Sequence, residues 1–115
     1  MKLNKKFWRN KNVFITGHTG FKGGWLCSLL NILHSNITGY SLKAPTKPNL
    51  FKEAKIKSLL KKDFRNNILQ ITNLKKALKK SKAEVVFHLA AQSSVIESFK
   101  NPHETILTNV VGTSN

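Results

Sequence analysis

A chain of 115 residues, 40% of them hydrophobic, has the length of a single domain (residues 1–115) and enough apolar content to bury a core. No run approaches the roughly 20 apolar residues of a membrane span, and the lysines of Met1 to Trp8 precede no apolar stretch of the signal-peptide kind, so no membrane partner and a cytoplasmic location are expected. The net charge of +15 would suit a polyanion, but the lysines are scattered over the N-terminal arm and polar helix sides (Lys75, Lys76, Lys79, Lys80, Lys82) without interleaved aromatic residues, which argues against a specific nucleic-acid partner.

Three apolar runs alternate with helix-like stretches, the pattern of a parallel sheet built from βαβ units. Asn12 to Thr16 reads as a buried first strand. After a glycine turn, Trp25, Leu26, Leu29, Leu30 and Leu33 recur at helical spacing and predict the face that packs on the sheet. Cys27, within that helix, has no intrachain partner and no His/Cys cluster around it, so it reads as a small buried residue and no metal site is expected. Ile37 to Leu42 is a second strand. Pro45 and Pro48 enforce a loop through Asn49, and Phe51 to Leu60 has the content of a short helix. A third strand is expected within Phe64 to Ile68, then a helix capped by Thr72 with Leu74, Ala77 and Leu78 on its apolar side. Glu84 to Leu89 is the fourth strand and runs into Ala90 and Ala91, where a ligand could approach the backbone closely. Ser98 to Pro102 breaks the chain, and His103 to Val111 begins another helical pattern.

The most informative motif is Thr16-Gly17-His18-Thr19-Gly20-Phe21-Lys22-Gly23, between the first strand and first helix. Glycine has a separate task at each position: Gly17 to turn tightly, Gly20 to let backbone N–H groups reach a pyrophosphate, Gly23 to let helix and strand pack closely. The helix N-terminus adds partial positive charge where phosphates would rest. The motif therefore predicts a dinucleotide site in an α/β, Rossmann-type doubly wound parallel sheet with strand order 3-2-1-4.

The three-residue glycine spacing resembles the extended short-chain dehydrogenase/reductase family. Phe7-Trp8 through Gly17-His18-Thr19-Gly20-Phe21-Lys22-Gly23 to Trp25-Leu26, the segment Gly39 to Leu42 with Ala44-Pro45-Thr46 and Asn49-Leu50-Phe51, Val86 to Gln92, and Thr108 to Thr113 together resemble its CDP-glucose 4,6-dehydratase branch. Most relatives in the wider family carry a second glycine and an apolar residue where His18 and Lys22 stand. The resemblance implies NAD as cofactor, with Gly17, Thr19, Gly20, Phe21, Lys22 and Gly23 at its pyrophosphate. Leu89, Ala90, Ala91 and Gln92, together with His88, would line the nicotinamide side. It also implies a nucleotide-sugar substrate and a homodimer in the full-length enzyme, of which this chain would supply the N-terminal part. The implied reaction takes a hydride from C4 of CDP-glucose, eliminates water across C5 and C6 and returns the hydride to C6. A dTDP-glucose or GDP-mannose dehydratase, a UDP-sugar epimerase, or a non-catalytic basic nucleotide-binding module are the alternatives.

Three departures qualify the resemblance. Lys43 stands near the place where an NAD enzyme often has an acid for the ribose 2′-OH; the expectation remains NAD, with NADP the alternative. The adenine pocket calls for an aspartate followed by an apolar residue, and Asn67-Ile68 is preferred to Asp63-Phe64; an amide oxygen can still accept from the adenine amino group. The family chemistry uses a tyrosine, a lysine four positions later and an acid pair, whereas Tyr40 is followed at that distance by Ala44. No catalytic residue is therefore expected in this segment, which by itself should not turn over. Tyr40 and His88 read as structural residues, and Asn109 as a helix residue supporting the site through hydrogen bonds.

Overall fold

The computed structural model describes residues 3–115. Four parallel strands, β1 (Asn12–Thr16), β2 (Asn36–Ser41), β3 (Lys62–Arg65) and β4 (Val85–His88), lie in the order β3-β2-β1-β4, as the βαβ reading requires. The register pairs Thr16 with Tyr40 on one side and with His88 on the other. Helix α1 (Lys5–Trp8), not anticipated from the sequence, precedes β1, and α2 (Phe21–Ile32) follows it. The β2–β3 connection carries α3 (Leu50–Glu53) and a 3₁₀ turn (Ile56–Leu59). Helix α4 (Ile71–Ser81) links β3 to β4, after which come α5 (Val95–Lys100), α6 (Pro102–Ile106), a π turn (Leu107–Val111) and α7 (Gly112–Ser114). None of these helices is long and apolar enough to cross a membrane.

Alternation along β1 divides the core between the two faces of the sheet. Val13 and Ile15 pack with Cys27, Leu30, Ile37 and Ile56, while Phe14 joins Tyr40, Ile68, Leu74 and Ala77 on the opposite face. Trp8 stacks on Phe87 at 6.1 Å and closes the first cluster from below. The Glu84 carboxylate accepts from Lys11 Nζ at 2.9 Å and from the Asn12 N–H at 3.0 Å, tying the entries of β1 and β4. The hydrogen bond from the Asn12 N–H, together with the hydrogen bond and charge of Lys11, holds this carboxyl below its ordinary range.

Four expectations are corrected. Helix α2 turns Gly23, Gly24, Cys27 and Leu30 inward, with Leu33 buried just beyond its end, and leaves Trp25 58% and Leu29 40% exposed. The reason is that Gly23 lies against the Gly17 carbonyl oxygen and Gly24 against the Leu50 side chain, where a Cβ would come within 2.3 Å and 3.0 Å. The helix expected over Phe51 to Leu60 is split by Lys55 in the left-handed region (φ 50°), which redirects the chain so that Ile56 enters the core. Strand β3 starts at Lys62 rather than Phe64; three of its four residues are polar, so apolar patterning could not locate it. Helix α4 begins at Ile71, with Gln70 as the capping residue and Thr72 already in the first turn, because a turn closed by the Asn67 carbonyl and the Gln70 N–H at 3.0 Å delivers the chain there.

Cys27 is fully buried, and desolvation pushes its thiol up to about 12, Asp63 adding to the effect. The native protein should therefore resist a thiol-specific reagent near neutral pH and react promptly once unfolded in denaturant. Labelling followed by mass spectrometry with and without denaturant measures this, and rapid native labelling would contradict the packing described.

Candidate functional site

At the carboxyl ends of the strands a cleft of about 670 Å³ opens between the β1–α2 turn, the end of β2 and the segments after β3 and β4. It lies where the chain connections diverge between β1 and β4, the place at which open α/β sheets bind ligands. Gly17, Thr19, Gly20, Phe21, Lys22 and Gly23 form its floor. Asn67 and Ile68 stand on one side; Leu89, Ala90 and Ala91 stand on the other. Gln92 does not line it: its amide nitrogen donates to the Ser94 carbonyl at 3.1 Å and to Thr105 Oγ1 at 3.0 Å. Tyr40, Ser41, Leu42, Lys43, Pro45, Asn66, Ser93 and Thr108 complete the lining. Of these, only Lys43 drew attention as a ligand neighbour from the sequence.

The glycines of the turn differ in what they make possible. Gly17 has φ +76°, and a Cβ there would lie 2.7 Å from the backbone of Leu89 and Ala90, so the turn and the β4 loop touch main chain to main chain. A Cβ at Gly23 would lie 2.3 Å from the Gly17 carbonyl oxygen: this glycine seats α2 on its own turn rather than on the strand. A Cβ at Gly20 meets nothing closer than the Gly17 oxygen at 3.4 Å, ordinary contact distance. Gly20 is the N-cap of α2 and offers no side-chain cap, so the first-turn N–H groups remain available at a wall of the cleft.

Beneath the turn lies a polar cluster that sequence spacing could not reveal. The ring of His18 is fully buried, its Nε2 3.0 Å from Asp63 Oδ1. Arg65 donates from Nη2 to Asp63 Oδ2 at 2.8 Å and from Nη1 to the Leu42 carbonyl at 3.3 Å. Phe51 meets the His18 ring edge-on at 5.6 Å and the Arg65 guanidinium at 4.6 Å, which fastens the segment after the Pro45–Pro48 loop to the turn. Gly39 makes room for the ring, since a Cβ there would lie 2.6 Å from it. A glycine inside an apolar strand signals such close approach, and Gly39 could have been read that way. Asp63 thus belongs to this cluster.

Asn67 is held on both sides. Its carbonyl accepts from the buried Tyr40 hydroxyl at 3.0 Å, and its Oδ1 accepts from the Leu69 N–H at 2.9 Å. Burial raises the Tyr40 hydroxyl's pKa, and the group serves as a donor inside the fold, in line with a structural role. Asn109, in the π turn, accepts from the Gln92 N–H at 2.8 Å and donates to the Gln92 carbonyl at 2.9 Å. His88 is not buried, but both ring nitrogens have partners, Thr16 Oγ1 at 2.7 Å and Thr113 Oγ1 at 3.0 Å. Among the described residues no group of three or more His, Cys, Asp or Glu could hold a metal ion.

The sequence profile of the family described as GDP-mannose 4,6 dehydratase matches residues 14–115. The chain is 42% identical over 111 residues to a CDP-glucose 4,6-dehydratase of Salmonella typhimurium, covering 96% of this chain and 31% of that protein. It is similar in fold to the UDP-glucose-4-epimerase of Stenotrophomonas maltophila, solved with bound NAD and formylated UDP-arabinopyranose (TM-score 0.78, 21% identity, 90% of this chain and 31% of that one). A UDP-glucose 4-epimerase from Brucella ovis in complex with NAD is likewise similar (TM-score 0.74, 24% identity, 90% and 30%). The chain spans about a third of the length of these proteins.

His18 yields a pH prediction. Burial lowers its pKa below the ordinary 6.5, Asp63 opposing and Arg65 adding to the effect. Between the folded value and 6.5 the unfolded chain binds the proton more readily, so stability is lost as pH falls below about 6.5, by at most about 1.4 kcal/mol per pH unit for one group. Urea denaturation across that range should show a steeper loss in the wild type than in His18→Asn; equal slopes would show that His18 does not carry it.

Proposed function

The chain belongs to the GDP-mannose 4,6 dehydratase family, and we propose that its cleft holds NAD for a nucleotide-sugar 4,6-dehydratase acting on CDP-glucose. The observation that carries this reading is the uncapped N-terminus of α2 at Gly20, which lines a cleft of about 670 Å³ at the strand ends. Because the chain spans 31% of the CDP-glucose relative's length, the reaction is proposed for the whole protein; 42% identity favours the CDP-sugar over the other nucleotide sugars.

On this reading the turn from Gly17 to Gly23 takes the pyrophosphate through backbone N–H groups, with the Lys22 side chain adding charge at the rim. Asn67 and Ile68 take the adenine: the second lone pair of Asn67 Oδ1 accepts from the amino group, and Ile68 packs on the ring. Leu42 and Lys43 stand at the ribose end, while Leu89, Ala90 and Ala91 face the nicotinamide half. When bound, NAD supplies a hydride acceptor that each turnover regenerates. These residues bind and orient it, and no group among them is assigned a proton transfer. Ile106 and Val110, one helical turn apart and more than half exposed, offer an apolar surface suited to a second copy in a cytoplasmic homodimer.

Titration calorimetry should give tighter binding of NAD than of NADP; the reverse order would assign Lys43 to a 2′-phosphate. Gly20→Val should weaken NAD binding by about 1 to 3 kcal/mol, the scale of a blocked backbone contact, and lower the melting temperature modestly, since a Cβ there makes only ordinary contact with the Gly17 oxygen but valine is a poor N-cap residue. Unchanged affinity in that variant would remove the turn from the binding site.

A further inference from the structure

Where β1 and β4 part, one hydroxyl joins the two sides of the cleft. Thr16 Oγ1 accepts from the N–H groups of Leu89 and Ala90, both at 3.1 Å, and lies 2.7 Å from His88 Nδ1. A hydroxyl has two lone pairs and one proton. The Ala90 N–H and the Leu89 N–H, which the Thr16 carbonyl oxygen shares at 3.1 Å, point at these lone pairs and leave the proton for His88, so Thr16 donates and Nδ1 accepts. The ring proton must then reside on Nε2, which donates to Thr113 Oγ1 at 3.0 Å, and the Thr113 hydroxyl donates onward to the Asn109 carbonyl at 2.6 Å. All three bonds run in one direction.

The consequence lies in what this chain connects. The segment Leu89 to Gln92 is pinned at its start by Thr16 and at its end by Asn109, whose side chain brackets the Gln92 backbone. His88 links the Thr16 pin to the helical segment that carries Asn109. That segment contains the π turn, an irregularity often found at functional positions. We infer that His88 is a positioning residue: held as the Nε2–H tautomer by Thr16, it sets the separation of β1 from the π turn and so the placement of the Leu89–Ala91 wall. This rests on the cofactor reading above, and His88 itself is assigned no contact with the ligand.

Two measurements on the full chain test it. Imidazole ¹⁵N spectra should show His88 protonated at Nε2 and bare at Nδ1. Thr113→Val should leave that tautomer in place, whereas Thr16→Val should release it. An Asn amide reaches the position of Nδ1 and a Gln amide that of Nε2, so the two variants separate the halves of the link. Each variant severs the link at one end, so His88→Asn, which loses Thr113, and His88→Gln, which loses Thr16, should both bind NAD about fivefold more weakly than wild type, the scale of one net hydrogen bond. A wild-type Nδ1–H tautomer, a tautomer indifferent to Thr16→Val, or equal NAD affinity in all three proteins would overturn the inference. If the wild type binds no NAD, the cofactor reading fails, and the tautomer in wild type and Thr113→Val decides the hydrogen-bonded link through His88 by itself, independently of how well the other variants fold.

Discussion

The approach of Gly23 to the carbonyl oxygen of Gly17 governs the rest of the cleft. With only 2.3 Å available for a Cβ, no other residue could bring the first turn of α2 so near the end of β1. That proximity points the N-terminus of α2 across the strand ends, rolls the helix so that its glycines face inward, and displaces Trp25 to the outside. Gly17 extends the same logic sideways, because its missing side chain lets the turn abut Leu89 and Ala90. The site is therefore assembled from main chain first, and its side chains fill the space that the main chain leaves.

This explains which parts were legible in the sequence. Strand β1 was found with its bounds, and β2 and β4 within one residue at each end, because each is built around β-branched and aromatic residues in a short run between turn signals. The strand order followed from the dinucleotide-binding turn at the start of the first βαβ unit. The glycine turn was legible because backbone demands leave a signature in residue type. Strand β3 was not, since an edge strand of Lys62, Asp63, Phe64 and Arg65 has one apolar side chain to declare it, and its register depends on contacts made by its charged residues.

Those contacts are the illegible half of the site. His18 and Asp63 are 45 residues apart, and nothing in either neighbourhood anticipates their meeting at 3.0 Å under the turn. Placing a histidine there has a cost, since desolvation opposes its charge and its Nδ1 is buried with no hydrogen-bond partner among the described residues. The cluster offsets that cost by joining four segments: the turn through His18, β3 through Asp63 and Arg65, the end of β2 through the Leu42 carbonyl, and the following helix through Phe51. A turn of glycines alone would be free to open, whereas one fastened from beneath presents its N–H groups in a fixed direction.

The two edges of the sheet carry the argument one step further. The β3 edge is blunted by Lys62 and Arg65, charges that discourage further strand pairing. The β4 side has no such protection: Val86 is 53% exposed, and beyond it Val95, Ile96 and Phe99 are each at least 69% exposed. Apolar exposure on that scale marks a contact surface rather than a finished exterior. It adjoins the wall formed by Leu89 to Ala91, so whatever covers β4 would also border the nicotinamide half of the proposed cofactor. The polar links of His88 and Asn109 keep that wall in place from the side that is already built, and they do so without drawing on the uncovered face.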